Sequence, residues 1–250
     1  TKEVADIVLK DDNFTTIVNA IKEGRRIYNN ILAFIKYMLS ANFSTILIVG
    51  IVTTAGYSLP ILPLQILWIN IATDALPALA LGRSPASKNI MEQKPRPKTE
   101  NIFKKFFAFI IVALVFQVIV NIILYFYGLN QDAALGINTH DLDTASYART
   151  IIFTETVLFE ILFAFVCKEE KSLTLKSFLN NKSLIVAALI SLILQIVMIY
   201  NPMMQDIFKT TTLNLKDWGI LLLCASTAFI VPKTTEIVRS IFAVKKSSIN

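Results

Sequence analysis

The sequence has few charged residues for its length. Only 17% of its 250 residues are Asp, Glu, Lys or Arg, whereas 54% are hydrophobic. A soluble globular domain carries about 25% charged residues, so this composition excludes an ordinary soluble domain. The sequence therefore predicts a protein that crosses a membrane several times.

Cysteine and histidine are also scarce, and this scarcity excludes several kinds of site. Cys167 and Cys224 have no CxxC spacing and lie in or beside apolar runs, so buried thiols are favoured over a disulfide or a metal site. The single histidine, His140, lies in a polar loop and is expected to be solvated. No P-loop, Ser/His/Asp arrangement or zinc-ligand spacing appears, so this chain has no recognisable catalytic apparatus. No secretory signal peptide is visible and the first residue is Thr1, so we expect a piece of a longer protein.

The apolar residues form six segments, each near the length of about 20 residues that a membrane-spanning helix needs. They cover approximately residues 31–56, 61–82, 105–127, 148–167, 183–201 and 217–232. Helical periodicity begins at about Thr15, with Asp12 or Asn13 as the N-cap, and continues into the first span. The predicted fold is all-α: a polytopic bundle of six transmembrane helices (residues 31–250) with a helical N-terminal stalk in residues 1–30.

The distribution of positive charge predicts the orientation of the bundle. The net charge is +6, and all but three of the 24 Lys and Arg residues lie in the N-terminal segment up to Lys36, the loops 83–105 and 168–182, or the tail. The three exceptions are Arg149, Lys209 and Lys216. Under the positive-inside rule both termini are cytoplasmic, and the charge contacts anionic lipid rather than nucleic acid.

The run from Asn70 to Pro77 places polar groups inside the second predicted span. An ionisable residue in a membrane span is costly and indicates a functional site. In a regular helix Asn70, Thr73 and Asp74 share one face, and oxygen ligands of this kind suit hard cations such as calcium. Pro77 cannot donate a hydrogen bond to the Thr73 carbonyl, so we expect a break in the helix and a freed backbone oxygen.

Other polar residues also lie in the predicted spans. Glu160 is a second candidate ligand, whereas a structural hydrogen bond to a neighbouring helix is favoured for Glu155. Asn42 is a candidate oxygen donor, although a helix contact is an open alternative for it. Ser44 and Thr45 are expected to bond their own backbone or another helix. Interhelical contacts are expected for three amide side chains, those of Gln117, Asn121 and Gln195.

Three stretches of the chain resemble the C-terminal part of P-type calcium-transporting ATPases. They are TKEVADIVLKDDNFTTIVNAIKEGRRIYNNI, then LQILWINIATDALPALALG, then NIMEQKPRPK. The likeness extends through essentially the whole chain and is strongest over residues 1–105. It implies the end of the phosphorylation domain followed by transmembrane helices five to ten of such a pump.

The resemblance also implies roles for individual residues. Asn70, Thr73 and Asp74 match the sixth-helix ligands of the calcium site shared across the family. Asn42 and Glu160 match ligands of the second site of sarcoplasmic-reticulum-type pumps. Those pumps have a glutamate where this chain has Thr45, which favours one ion per cycle. Sodium/potassium pumps are similar here but have aspartate at the position of Asn70.

By the same resemblance, the parts that use ATP and Mg²⁺ lie upstream of this chain. They are the actuator, nucleotide-binding and phosphorylation domains, with the DKTG and TGE motifs, and the fourth-helix glutamate. Ca²⁺ is the expected transported ion, with Mn²⁺, Na⁺ or H⁺ as alternatives in the same family. A non-catalytic membrane remnant or accessory subunit is an alternative of a different class. The host membrane is open, and would be the plasma membrane in a prokaryote.

Overall fold

The computed structural model describes residues 13–87, 89–95, 102–141, 144, 146–168 and 180–247. These residues form helices and connecting segments, with no strand among them. Six helices are long and apolar enough to cross a membrane, so the predicted all-α bundle with six spans is confirmed. Residues 1–12 lie outside the described part of the chain, and the assignment of residues 1–30 to a phosphorylation domain and stalk stays a prediction.

The first half of the bundle contains two uninterrupted helices and one broken helix. Helix α1 covers Phe14–Thr54 as one continuous helix, and its N-cap is Asn13, whose Oδ1 accepts a hydrogen bond from Thr15 N at 2.9 Å. Gly56, with φ of 85°, provides the left-handed residue that ends this helix. The second span consists of α2 (Pro63–Trp68), a π-helical turn (Ile69–Thr73) and α3 (Ala75–Gly82). Helix α4 covers Ile102–Ala134.

The second half begins with the central helix of the bundle. Helix α5 covers Tyr147–Lys168, and 94% of its most apolar 18-residue window is buried. Helix α6 (Lys182–Tyr200) and the short α7 (Pro202–Phe208) follow. The last span joins α8 (Leu215–Ala225), a 3₁₀ segment (Ser226–Ile230) and α9 (Val231–Ser247). Helix α5 packs against α1, α4, α6 and α8, so its polar side chains point into protein rather than lipid.

Several helical residues lie outside the approximate bounds predicted for the spans. Residues 202–214 contain α7, whose Pro202 occupies the first turn, where a missing N–H costs nothing. Pro232 likewise lies in the first turn of α9, so it continues a helical segment instead of ending the sixth span. Helix α4 extends beyond the predicted end at residue 127 to Ala134 and therefore includes Asp132.

Asp132 caps the N-terminus of α5. Its carboxylate accepts hydrogen bonds from Ser146 Oγ at 2.7 Å, Tyr147 N at 2.7 Å and Ala148 N at 3.0 Å. A carboxylate at a helix N-terminus satisfies free N–H groups and complements the helix dipole. Close packing follows, because a Cβ added at Gly128 would lie 2.8 Å from Cβ of Ala148.

The opposite end of the bundle is joined by side-chain bonds to backbone oxygens. Arg25 Nη1 donates to the carbonyls of Ile90 and Gln93, both at 2.8 Å. Lys168 Nζ donates to Asn30 Oδ1 at 3.1 Å and to Pro85 O at 2.9 Å. The first part of α1, the segment after α3 and the end of α5 thus lie at one end of the bundle. This agrees with the prediction that the N-terminal segment and the loops 83–105 and 168–182 lie on the same side of the membrane. Which side that is stays a prediction.

Candidate cation site

The predicted break in the second span is present, and it has the form of a π-helical turn. Asp74 N donates to Ile69 O at 2.8 Å, which is an i→i−5 hydrogen bond, and an α-helix follows from Ala75. Single π turns inside helices are frequent at functional sites. The wider turn changes the expected arrangement, because Asn70, Thr73 and Asp74 no longer follow the regular spacing that puts i, i+3 and i+4 on one face.

Pro77 frees the Thr73 carbonyl, as predicted. That carbonyl accepts a hydrogen bond from Ser191 Oγ on α6 at 2.9 Å. The Thr73 hydroxyl donates to Ile69 O at 2.9 Å, so its oxygen lone pairs stay available. Because buried carbonyls need a partner, Ser191 connects the broken part of the span to α6.

Asp74 is the buried carboxylate at this break, with 1% of its surface exposed. Tyr37 of α1 is completely buried, and its hydroxyl donates to Asp74 Oδ1 at 2.8 Å. Glu160 of α5 lies close enough to interact electrostatically with both Asp74 and Tyr37. Three helices therefore place two carboxylates and one phenol together in the interior of the bundle.

Glu160 lies beside Asp74, but no hydrogen bond to its carboxylate occurs among the described residues. The side chain is 1% exposed, and neither carboxylate oxygen accepts a hydrogen bond from any described residue. A buried carboxylate without a hydrogen bond or counter-ion is energetically unfavourable. Such groups inside membrane proteins mark ion pathways. A cation between Glu160 and Asp74 would reduce their mutual repulsion and satisfy the free oxygens.

Asn70 and Asn42 lie less deeply than the two carboxylates. Both are half-buried, and each amide nitrogen donates to its own helix: Asn70 to Ile66 O and Asn42 to Met38 O, each at 2.9 Å. Each therefore keeps a side-chain oxygen that could bind a cation. No hydrogen bond joins Asn42 to Asp74 or Glu160 among the described contacts, so its place in the candidate site stays a prediction.

The hydroxyls of α1 have the structural roles expected of them. Thr45 Oγ1 donates to Ala41 O at 3.2 Å, and Ser44 Oγ contacts both Ala41 O at 2.7 Å and Gln117 Oε1 at 2.6 Å. Gln117 is thus an interhelical contact, as predicted. Gln195 is another, since its Nε2 donates to Thr154 Oγ1 at 3.3 Å.

Two residues near the candidate site are missed by the sequence interpretation. Tyr37 gives no signal in a single sequence, because a tyrosine is unremarkable in an apolar helix. Lys36 is also buried, with its ammonium 5.0 Å from the ring centroid of Phe106 and 5.5 Å from that of Phe109. A lysine inside a predicted span is a detectable signal, and its cation–π contacts account for its position.

The donor set at the break suits a hard cation better than a transition metal. No group of three or more His, Cys, Asp or Glu that could hold a metal occurs in the part of the chain that is described. Two carboxylates, amide oxygens, a hydroxyl and backbone carbonyls are instead oxygen ligands of mixed charge. Sites of this composition bind calcium and similar cations.

The family model described as "Cation transporting ATPase, C-terminus" matches residues 58–241. The chain belongs to this cation-transporting ATPase family. The match includes the broken span and α5, and hence Asn70, Thr73, Asp74 and Glu160. Tyr37 and Asn42 precede the matched region.

Named relatives of this cation-transporting ATPase chain come from bacteria, yeast and mammals. A calcium-transporting ATPase of Bacillus subtilis is 38% identical over 221 residues, which are 88% of this chain and 24% of that protein. Calcium-transporting ATPase 1 of Yarrowia lipolytica is 35% identical over 236 residues, or 94% of this chain and 24% of the relative. Calcium-transporting ATPase type 2C member 1 of mouse is 31% identical over 242 residues, which are 96% of this chain and 25% of that protein. The chain spans about a quarter of the length of these relatives.

Proposed function

We propose that the chain is the ion-binding membrane part of an ATP-driven calcium pump, which exports Ca²⁺ from the cytoplasm with one ion per cycle. The observation that carries this proposal is the grouping of Asp74 and Glu160 at the π turn. The names of the relatives support calcium as the ion. Asn70, Thr73 and Asp74 are the proposed core ligands, with Glu160 and Asn42 completing the set within this chain.

The charge of the site is consistent with one divalent cation. Asp74 and Glu160 together supply two negative charges when ionised, which one Ca²⁺ neutralises. The neutral ligands are the oxygens of Asn70 and Thr73, and the break at Asp74 widens the helix so that backbone and side-chain oxygens can approach the ion. Mn²⁺ also accepts octahedral oxygen ligands and is the main alternative within this family. Na⁺ would neutralise only one of the two carboxylates, and H⁺ is a further alternative because protons can bind the same carboxylates.

The length of α1 suggests how the site is coupled to ATP. Upstream actuator, nucleotide-binding and phosphorylation domains would use ATP and Mg²⁺ in the full-length pump. Residues 14–36 would form a stalk, and the single helix Phe14–Thr54 would carry its movement to Tyr37 and so to Asp74. The segment 83–105 would brace the phosphorylation domain. The site would then change from inward to outward access, with protons returning through its carboxylates.

The experiment that tests this proposal is Asp74→Asn in the full-length pump. The substitution keeps the shape of the side chain and removes its negative charge, so we expect calcium-dependent formation of phosphoenzyme from ATP to be abolished. Folding is expected to be preserved, because an amide can still accept the Tyr37 hydrogen bond; size-exclusion chromatography would check this. Phosphoenzyme would be measured over a range of calcium and manganese concentrations.

The matched control is Asp206→Asn, which changes an exposed carboxylate of α7 away from the site. This control should keep the calcium response of the wild type. Undiminished calcium-dependent phosphoenzyme in Asp74→Asn would overturn the site assignment. Saturation by manganese at much lower concentration than calcium would retain the pump and replace the ion. If no phosphoenzyme forms in the wild-type protein, the accessory-subunit alternative is favoured.

A further inference from the structure

A second group of buried polar side chains lies on α4 and α5, apart from the proposed calcium ligands. It contains Glu155, which is completely buried, and Asn121 and Gln117, which are each 1% exposed. Glu155 precedes Glu160 by five residues on α5, so the two carboxylates point in different directions around the helix. This group is not part of the proposed calcium site.

Hydrogen bonds define which atoms of this group are unsatisfied. Ser44 of α1 donates to Gln117 Oε1 at 2.6 Å, which leaves Gln117 Nε2 as a buried donor without a partner. Gln117 and Asn121 are four residues apart and share one face of α4. Asn121 faces the Glu155 carboxyl closely enough for a side-chain interaction. Even so, both oxygens of Glu155 and Oδ1 of Asn121 accept no hydrogen bond from a described residue.

An ionised Glu155 cannot satisfy this arrangement. The amide nitrogen of Asn121 can donate to an ionised Glu155, but a carboxylate is an acceptor only and offers no hydrogen to the buried Oδ1 of Asn121. A neutral carboxylic acid removes the conflict, because its O–H donates to Asn121 Oδ1 while its carbonyl accepts from Asn121 Nδ2. The acid and the amide are then complementary in both directions.

Among the residues that the structure describes, the charged groups around Glu155 do not supply a counter-ion. The titratable groups that interact with it are Glu160 on its own helix and Cys224 from α8, and neither is a cation. Lys36 on α1 lies over the rings of Phe106 and Phe109. Arg149 at the start of α5 donates to the carbonyls of Asp141 and Thr144, at 2.9 Å and 2.8 Å.

The described residues of the other elements packed against α5 bring no cation to Glu155 either. The broken span contributes Asp74, which accepts from Tyr37 of α1. Helix α4 contributes Tyr125, whose hydroxyl donates to Ser58 O at 2.7 Å. Helix α6 contributes the neutral Gln195. An unpaired charge at Glu155 would be costly in such an environment.

We propose that Glu155 and Asn121 form a proton-binding site in the membrane bundle, separate from the calcium site, in which Glu155 is held as a neutral acid. One proton neutralises the Glu155 carboxylate and supplies the hydrogen that Asn121 Oδ1 lacks. A metal ion would find only one charged ligand here. This inference does not depend on calcium being the transported ion, since it uses neither Asp74 nor the identity of the cargo.

Infrared spectroscopy of the full-length pump in lipid at neutral pH tests the proposal directly. A neutral carboxylic acid has a C=O stretching band well separated from those of carboxylates and amides, and the band shifts in D₂O if the acidic proton exchanges. We expect wild type minus Glu155→Gln to show one such band. The matched control is Glu23→Gln, an exposed glutamate paired with Arg26 at 2.8 Å, which should show none. Absence of a carboxylic-acid band in the Glu155→Gln difference spectrum would overturn the proposal. Glu155 would then be ionised, and a cation such as sodium would have to compensate its charge.

A second variant tests the pairing with Asn121 and does not require removal of Glu155. Asn121→Leu keeps the approximate side-chain volume and removes the acceptor. We expect the acid band to persist and to move to higher wavenumber, because a free acid C=O vibrates faster than a hydrogen-bonded one. A band at the wild-type position in Asn121→Leu would contradict the acid–amide pair. Loss of the band would also contradict the proposal, because Glu155 would then be ionised in an environment with still fewer hydrogen-bond donors.

Discussion

At the scale of single residues, the carboxylates of the site could be predicted and their partner could not. Asp74 and Glu160 are conspicuous because each interrupts an apolar run, where a charge is expensive. Tyr37 is 37 positions from Asp74 in the chain, and only the packing of α1 against the second span brings the two together. A hydrogen bond of this kind depends on tertiary structure, so no local pattern in the sequence indicates it.

Tyr37 is expected to hold the Asp74 carboxylate in position for the cation. Tyr37→Phe removes only the hydroxyl, and the loss of a hydrogen bond that orients a metal ligand typically costs about 10- to 100-fold in metal affinity. The calcium concentration for half-maximal phosphoenzyme in the full-length pump should rise accordingly. Tyr125→Phe is the control, because that buried hydroxyl contacts Ser58 and no carboxylate. Equal affinities in the two variants would mean that Tyr37 has no positioning role.

At the scale of elements, the sequence predicts that the second span is broken but not how. Pro77 removes one backbone hydrogen bond, which is a local property and visible in the sequence. The π turn lies before it, at Ile69–Thr73, where Ile69 O accepts from both Asp74 N and the Thr73 hydroxyl. Contacts with α1 and α6 accompany this turn, and a single sequence does not reveal which helices are neighbours. The spacing that suggested one ligand face assumed a regular helix and was wrong in that respect.

Ser191 is expected to stabilise the broken span by bonding the carbonyl that Pro77 leaves free. Ser191→Ala would leave the buried Thr73 carbonyl without a partner, which costs about 1–3 kcal/mol. Thermal unfolding of the full-length pump in lipid should show a lower midpoint. Ser226→Ala is the control, because this half-buried serine donates to Leu223 O, one turn earlier in the same span, and its effect should stay within about 0.5 kcal/mol.

A double variant tests whether the effect of Ser191 arises from the freed carbonyl. Pro77→Ala restores an N–H that can reach Thr73 O in a helix. The combination of Ser191→Ala with Pro77→Ala should therefore recover part of the lost stability. Additive destabilisation by the two substitutions would show that Ser191 acts through another contact.

At the scale of the whole molecule, apolar length predicted the six spans well, because each needs about 20 residues to cross the bilayer. The ends of the spans were less predictable. Asp132 lies outside the predicted span 105–127, yet it belongs to α4 and accepts hydrogen bonds from the first N–H groups of α5. Such contacts between helix ends are long-range, and hydrophobic segments alone do not indicate them.

The proposed stoichiometry of one ion per cycle rests on the charges of the described residues. Thr45 bonds its own helix at 3.2 Å and brings no charge, and Glu155 is proposed to be neutral. Within this chain Asp74 and Glu160 are then the carboxylates left for the cation, and they balance one Ca²⁺. We expect radioactive calcium bound under saturating conditions to equal the phosphoenzyme, in a ratio of about 1, since a second divalent ion would leave buried positive charge uncompensated. A ratio of about 2 in the wild-type pump would contradict this charge balance and would require Asn42 with Glu160 to form a separate second site.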